Sequence, residues 1–474
     1  MNIKKAEYLK NQFLSHIKLF FTAQVSQTID SSLIKFCPLS EINSNNPALY
    51  IPIDIPVSIN PESVYQVPFN GTQVTLWNPI VNPDRQVWEG LPNENTPVWY
   101  LHKSGAIIPA WNLFGNIFNL LAFTEELSSD KRDIHDRFIG SYSPRTGKNL
   151  LEVPAFNEAA ALIVDAVRGL SGTGPVYNLE GLLKPPVVVL SHDCDILAGN
   201  DFWTQAVRAY RIFEPLFKGR LPQVKNLWWI IKNYLSPRKY YFDEALGMIT
   251  LERQFGFHSI FYLLNGTYGR FGARSNNKTI ADLIKQIPEE WEIGIHFNYD
   301  TYLNCDALTA QKKQLSLMTN RPLTAGRAHY LHMNTTESFE QWQELGVIVD
   351  ESAGYPDFIG YRCGIGGIFQ LYDTSANTGM NIFEIPLVIM EDILLSQYPD
   401  SSVNHFEQLL QHMKQIGGAL SLVIHPGMLR NPEHPQCRDF YYNFLRVCCR
   451  RGAVSKTPNQ LVKEFRQGLS PDNQ

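Results

Sequence analysis

The run Val187-Val-Val-Leu-Ser-His-Asp-Cys-Asp195 decides the reading of this chain. It follows Gly181-Leu-Leu-Lys-Pro-Pro186, whose paired prolines suit neither a helix interior nor a central strand, so a new element opens at Val187. Four apolar residues make a short buried strand, and a polar tail ends it. In extended backbone, residues two apart share a face, so Asp193 and Asp195 point the same way. Two neighbouring carboxylates raise each other's cost of ionisation unless a cation lies between them. A metal resolves this, with one Asp as ligand and the other free as a base. The plainer alternative is a strand-end turn in which an Asp caps the next helix; Asp-x-Asp alone leaves both open.

Downstream, the same rhythm repeats. Apolar, β-branched runs at 187–190, 258–263, 292–296, 325–331, 346–350, 383–389 and 419–425 alternate with amphipathic stretches at 279–287, 307–318, 337–345 and 404–416. Such alternation implies parallel strands joined by helical crossovers. About seven units suit a distorted (β/α)7-type barrel, in which chemistry gathers at the C-terminal ends of the strands. Asp193, Asp195, His296, Arg327, Asp350 and His425 all fall at or near such ends. Upstream the pattern is irregular: residues 50–100 are rich in Pro and Asn, and helices are expected over 107–127 and 156–167. The expected fold class is therefore α/β, with a barrel domain over 187–470 and a smaller α+β domain over 1–180.

Composition narrows the function classes. The chain has 474 residues, 44% of them hydrophobic, and a formal net charge of -5. That charge argues against a nucleic-acid partner, and no Lys/Arg run long enough for an anionic-lipid patch stands out. No apolar stretch is long enough to span a bilayer, and charges interrupt the first 25 residues, which lack a signal-peptide core. Seven cysteines without Cys-x-x-Cys spacing read as reduced thiols. A cytoplasmic protein is the expectation.

Two further runs carry chemistry. Glu292-Ile-Gly-Ile-His-Phe-Asn-Tyr-Asp300 is a strand that ends on His296; if the chain turns helical there, Asp300 shares its face. Ser421-Leu-Val-Ile-His-Pro-Gly427 closes the last strand on His425, fixed before a turn and suited to general acid work. For each histidine the bland reading is a core imidazole satisfied by backbone.

In order and spacing these runs, with Gly326-Arg-Ala-His-Tyr330 and Val349-Asp-Glu-Ser352, resemble the polysaccharide deacetylase (NodB-homology, carbohydrate esterase family four) superfamily. The resemblance implies a metal-dependent hydrolase that removes an N-acyl group, acetyl first of all, from an amino sugar or a polysaccharide precursor. It implies Asp193 as base, Arg327 as the residue orienting it, and His425 as acid. Asp195 and His296 would be ligands to a divalent metal, zinc foremost. Where the family places a second metal histidine this chain has Asp300, which is expected as the third ligand. That departure also motivates a rival: a catalytically inactive, deacetylase-like carbohydrate-binding protein.

Three residues are expected at the substrate. Tyr361 and Arg362 lie in the glycine-rich loop Gly360-Tyr-Arg-Cys-Gly-Ile-Gly-Gly367, where Arg362 either reaches substrate or pairs with Asp350 or Asp373. Asp392 either pairs with His425 or a substrate hydroxyl, or serves a helix N-terminus. A narrower resemblance, to a bacterial subgroup with an uncharacterised N-terminal domain, rests partly on Glu125-Glu126 and Asp133-Ile-His-Asp-Arg-Phe138. That last motif reads most simply as an ion-paired turn. Of the dense aromatics between 198 and 241, Trp228 and Trp229 are expected in the core.

Overall fold

A computed structural model describes residues 2–467, apart from 57, 82–83, 171–174, 201, 218, 220, 222–226, 237–238, 270 and 430–435. Its centre is a ten-stranded, almost wholly parallel sheet. The strands, in chain order, are β1 (Val187–Cys194), β2 (Ser259–Leu264), β3 (Glu292–Phe297), β4 (Ala325–Ala328) and β5 (Val349–Asp350). They continue with β6 (Phe369–Asp373), β7 (Thr378–Glu384), β8 (Ile389–Met390), β9 (Ala419–Val423) and β10 (Val454–Ser455). The sheet order is β6-β7-β5-β4-β3-β2-β1-β9-β8, with β10 also paired to β1; only β6 and β7 run antiparallel. Helices cross between successive strands from β1 to β5 and from β8 to β10, while β5 and β7 are joined through β6. The result is a curled sheet, a distorted half-barrel, with a smaller α+β region in front of it.

The expected strand at 383–389 is two strands. Its first residues end β7, which pairs with β5, and Ile389 opens β8, which pairs with β9 at the far end of the sheet. Pro386 explains the break, since it cannot donate to a ladder. The intervening residues span the seam instead: Ile385 N donates to Asp350 O, and Ser421 Oγ accepts from Val388 N.

Upstream, a five-stranded sheet takes the order Ile34–Cys37, Leu49–Pro52, Ile107–Pro109, Trp99–His102, Trp88–Leu91. The helix expected at 107–127 therefore starts late. Residues Ile107–Pro109 are a strand, and Asn112 caps the helix Leu113–Leu121 by accepting from Gly115 N. The helix expected at 156–167 is Ala155–Gly169. One continuous hydrophobic core runs through both regions. Trp228, expected in that core, is 71% exposed, and the side chain of Trp229 lies outside the described residues. Among the described residues, no helix is long and apolar enough to cross a membrane.

Candidate metal centre and catalytic cleft

The C-terminal ends of β1, β3, β4 and β9 open on a cavity of about 490 Å³. Strand alternation delivers the two aspartates as expected: Asp193 and Asp195 face the cavity, while His192 points to the other side of the sheet. There His192 bridges the Ile424 carbonyl (2.9 Å) and the Glu252 carboxylate (2.6 Å), which ties β1 to the end of β9.

Asp195, His296 and His329 form a group whose ligand atoms lie within 4.8 Å of one another. Asp195 Oδ1 is 3.1 Å from His296 Nε2, and Asp195 Oδ2 is 3.5 Å from His329 Nε2. Each imidazole is oriented by backbone. His296 Nδ1 donates to Arg327 O (2.9 Å) and His329 Nδ1 to Phe271 O (3.0 Å). In the neutral ring this leaves the Nε2 lone pairs converging on Asp195, the arrangement by which histidine ligates metals. Asp195 Oδ1 is buried and accepts no hydrogen bond. One carboxylate and two imidazoles, thus aimed, fit a divalent ion with a preference for nitrogen ligands, such as zinc.

His329 is the residue that the sequence reading missed, and it displaces Asp300. After β3 the chain turns through Asn298 into a single 3-10 turn, Tyr299–Thr301, and Asp300 is exposed outside the group. The chain directly after His296 is not α-helical, so the four-residue spacing does not put the two on one face. The second imidazole comes instead from the end of the next strand. The available signal was the spacing Arg327-Ala-His329, which in extended chain puts His329 on the same face as Arg327.

Beside this group sits Asp193, 5% exposed. Arg327 Nη1 donates to its Oδ1 at 2.7 Å, and its Oδ2 lies 3.6 Å from His296 Nε2. Burial alone raises the pKa of Asp193, but Arg327, His296 and His425 outweigh it and hold the carboxyl below its ordinary range. Arg327 is wholly buried, fixed by Asp193, by the Glu351 carbonyl (3.1 Å) and by the Tyr262 ring 4.6 Å away. Beneath it Glu351 also accepts from the Tyr262 hydroxyl, and burial pushes its pKa up to about 7.

His425 closes the opposite wall. Its Nδ1 donates to Glu391 Oε1 at 2.7 Å, and its Nε2 is 4.0 Å from Asp193 Oδ2 and from Asp195 Oδ2. Burial disfavours the imidazolium, but Glu391 and the two aspartates raise the pKa of His425 well above its ordinary value. Its partner is thus Glu391, not the neighbouring Asp392. Asp392 lines the cavity and accepts from Ile393 N at the start of the helix Glu391–Gln397.

Tyr361 and Arg362 do not reach the cavity. Both are buried, and Arg362 pairs with Glu126 at 2.5 Å and donates to Gly354 O at 2.9 Å. Neither Asp350 nor Asp373 is its partner. The glycines allow close packing, not reach: a Cβ on Gly364, at φ +66°, would meet Leu120 at 2.5 Å. The loop is a buried seam against the upstream region, and neither side chain lines the cavity.

That upstream region does reach the cleft elsewhere. The turn at 133–138 is ion-paired, with Arg137 Nη2 at 2.7 Å from Asp133 Oδ2. It also lines the cavity with His135 and Arg137. Arg137 Nη1 donates to Tyr330 O at 2.5 Å, next to His329, and holds Tyr330 at φ 62°. His135 is hydrogen-bonded to the Tyr299 hydroxyl (2.9 Å) and packs against Phe271, whose carbonyl orients His329. The turn therefore buttresses a metal-type ligand from outside the barrel.

No family model matches the chain, and none of the curated proteins matches its sequence. Solved structures do resemble it. A protein from Mycobacterium smegmatis assigned as a polysaccharide deacetylase is 15% identical, with a TM-score of 0.38 over 61% of this chain and 93% of that one. The peptidoglycan deacetylase PdaC of Bacillus subtilis is 10% identical, with a TM-score of 0.28 over 60% and 93%. A protein of Bordetella bronchiseptica, assigned as a polysaccharide deacetylase involved in O-antigen biosynthesis, is 13% identical, with a TM-score of 0.29 over 60% and 90%. Among the solved structures to which this chain is similar are proteins assigned as polysaccharide or peptidoglycan deacetylases.

Proposed function

We propose that the chain hydrolyses the N-acyl amide, acetyl first of all, of an amino sugar within a glycan or cytoplasmic polysaccharide precursor. The observation that carries this is the convergence of a base-type carboxylate, an acid-type imidazole and a three-ligand group on one cavity. Asp193 is kept ionised and aimed by Arg327, and takes a proton from the attacking water. The water oxygen bonds to the acyl carbon. His425, kept protonated by Glu391, gives its Nε2 proton to the departing nitrogen as the C–N bond breaks, leaving a free amine and a carboxylate. Asp195, His296 and His329 would hold a divalent ion, zinc foremost, which would supply Lewis acidity when bound. Tyr330 and Tyr241 line the cavity and bring apolar ring surface to a sugar bound there. The rival reading, a carbohydrate binder without turnover, drew its support from Asp300; with Asp300 outside the ligand group that support is gone.

The test is acetate release from a panel of N-acetylated amino sugars and their oligomers. Turnover that stops on chelation and returns with zinc is the expected result. Binding of these sugars with no acetate released from the metal-loaded protein would restore the rival.

A further inference from the structure

The turn at 133–138 belongs to the upstream region, yet it bonds to or packs on three loops at the mouth of the barrel. It carries its own internal frame. Asp133 Oδ1 accepts from the backbone nitrogens of His135 (2.9 Å) and Arg137 (3.0 Å), and Asp133 Oδ2 accepts from Arg137 Nε (3.0 Å). Asp133 N donates to Arg137 O at 3.0 Å and closes the turn. The guanidinium is thereby fixed on its Nε and Nη2 side, while Nη1 donates out of the turn to the Tyr330 carbonyl.

Each loop meets the turn in a different way. Beyond β2, Phe271 stands edge-on to the His135 ring, with centroids 5.4 Å apart. Beyond β3, the Tyr299 hydroxyl is hydrogen-bonded to His135 Nδ1 (2.9 Å), and the Tyr302 hydroxyl donates to Asp136 Oδ2 (2.8 Å). Beyond β4, Tyr330 meets Arg137 at its carbonyl and His135 at its ring, 5.3 Å between centroids.

Two of these loops converge on His329. Its Nδ1 donates to Phe271 O, and the next two residues, Tyr330 and Leu331, have φ of 62° and 51°. Residues other than glycine seldom adopt left-handed backbone, and two in succession persist only where their surroundings fix them. The barrel supplies the carbonyl that orients the imidazole, but the donor at Tyr330 O comes from the upstream turn. Without that donor, extended conformations compete at Tyr330, and the imidazole beside it loses its direction. His296 differs: it lies within β3 and bonds to the backbone of β4, so the sheet alone orients it. The ion pair with Asp133 also means that Arg137 brings no net charge to the edge of a cation site.

We propose that the upstream region completes the metal centre, with Arg137 and His135 as positioning residues that hold His329 towards Asp195 and His296. The inference rests on the metal reading of those three ligand-type residues. Arg137 and His135 also line the cavity, so contact with the sugar is the competing assignment. Metal affinity in the absence of sugar separates the two.

The experiment is competition for zinc between the full chain and a chromophoric chelator, for the wild type, Arg137→Ala, Arg137→Lys and Arg132→Ala. Arg137→Ala should bind zinc about 10- to 100-fold more weakly, the range for losing a group that orients a metal ligand. Arg137→Lys keeps the charge but not the fork that spans Asp133 and Tyr330 O, and should also bind more weakly than the wild type. It carries the test if the alanine variant does not fold, which melting of the metal-free proteins reveals. Arg132 bonds to the carbonyls of Ser129 and Lys131 in its own segment, so Arg132→Ala removes the same charge and should match the wild type. The proposal is overturned if a folded Arg137 variant binds zinc as tightly as the wild type, or if Arg132→Ala loses as much affinity. It is equally overturned if Arg137→Ala keeps its zinc and only raises KM for an acetylated sugar, which would place the residue in substrate binding. A wild type that takes up no zinc would remove the metal centre itself, and the inference with it, whereas zinc held equally by wild type and variants removes the positioning role alone.

Discussion

Replacing Asp193 by Asn is expected to lower kcat by about 10²- to 10⁴-fold while leaving the metal in place. The side chain keeps its shape, so its oxygen still accepts from Arg327, which retains its bond to the Glu351 carbonyl. What disappears is the basic oxygen, Oδ2, 3.6 Å from His296 and 4.0 Å from His425. Asp193 is outside the group formed by Asp195, His296 and His329, so metal content should match the wild type. Steady-state acetate release together with elemental analysis checks both halves. Unchanged turnover would remove Asp193 from the role of base, and lost metal would make it a ligand instead.

Glu252→Ala should destabilise the fold by about 3–5 kcal/mol, the range for removing one partner of a buried ion pair. The carboxylate is wholly buried in the helix Tyr240–Phe255, behind the sheet. It accepts from Trp291 Nε1 (2.6 Å), from Ser259 Oγ (2.8 Å) and from the Tyr441 hydroxyl, and pairs with His192 at 2.6 Å. Alanine leaves all four groups without that acceptor and frees the imidazole that joins β1 to Ile424. Because Ile424 precedes His425, activity should fall along with stability. Burial alone raises the pKa of Glu252, but His192, Tyr441 and Trp291 outweigh it, so the folded value is depressed. Its contribution is therefore complete above the ordinary carboxylate range and is lost as pH falls through the depressed value. Urea midpoints of wild type and variant should lie far apart at neutral pH and converge in acid. Coincident midpoints at neutral pH would show that the network adds nothing.

Much of this architecture was legible in the sequence, for reasons that are local. Parallel buried strands read as short apolar runs, and their polar tails mark the end of the sheet at which chemistry collects. Asp193, Asp195, His296, Arg327 and His425 could be found because each terminates such a run. Asp300 was misplaced because the path of the chain beyond His296 depends on a turn that spacing does not encode. His329 was hidden inside what looked like strand, where its neighbour Arg327 drew the attention. Arg362 was misread because glycines signal close packing as readily as mobility, and its partner Glu126 is 236 residues away in sequence. Glu391 was missed by one position, since it and Asp392 open the same helix. Long-range pairings of this kind are fixed by tertiary packing, not by any local pattern.

The account turns on the third ligand. The most direct measurement is the zinc content, after loading and gentle dialysis, of the wild type, His329→Ala and Asp300→Ala. Near-stoichiometric zinc in the wild type and in Asp300→Ala, with loss in His329→Ala, is the result expected from the convergence of Asp195, His296 and His329. Zinc retained by His329→Ala and lost from Asp300→Ala, or absent from all three, would contradict it.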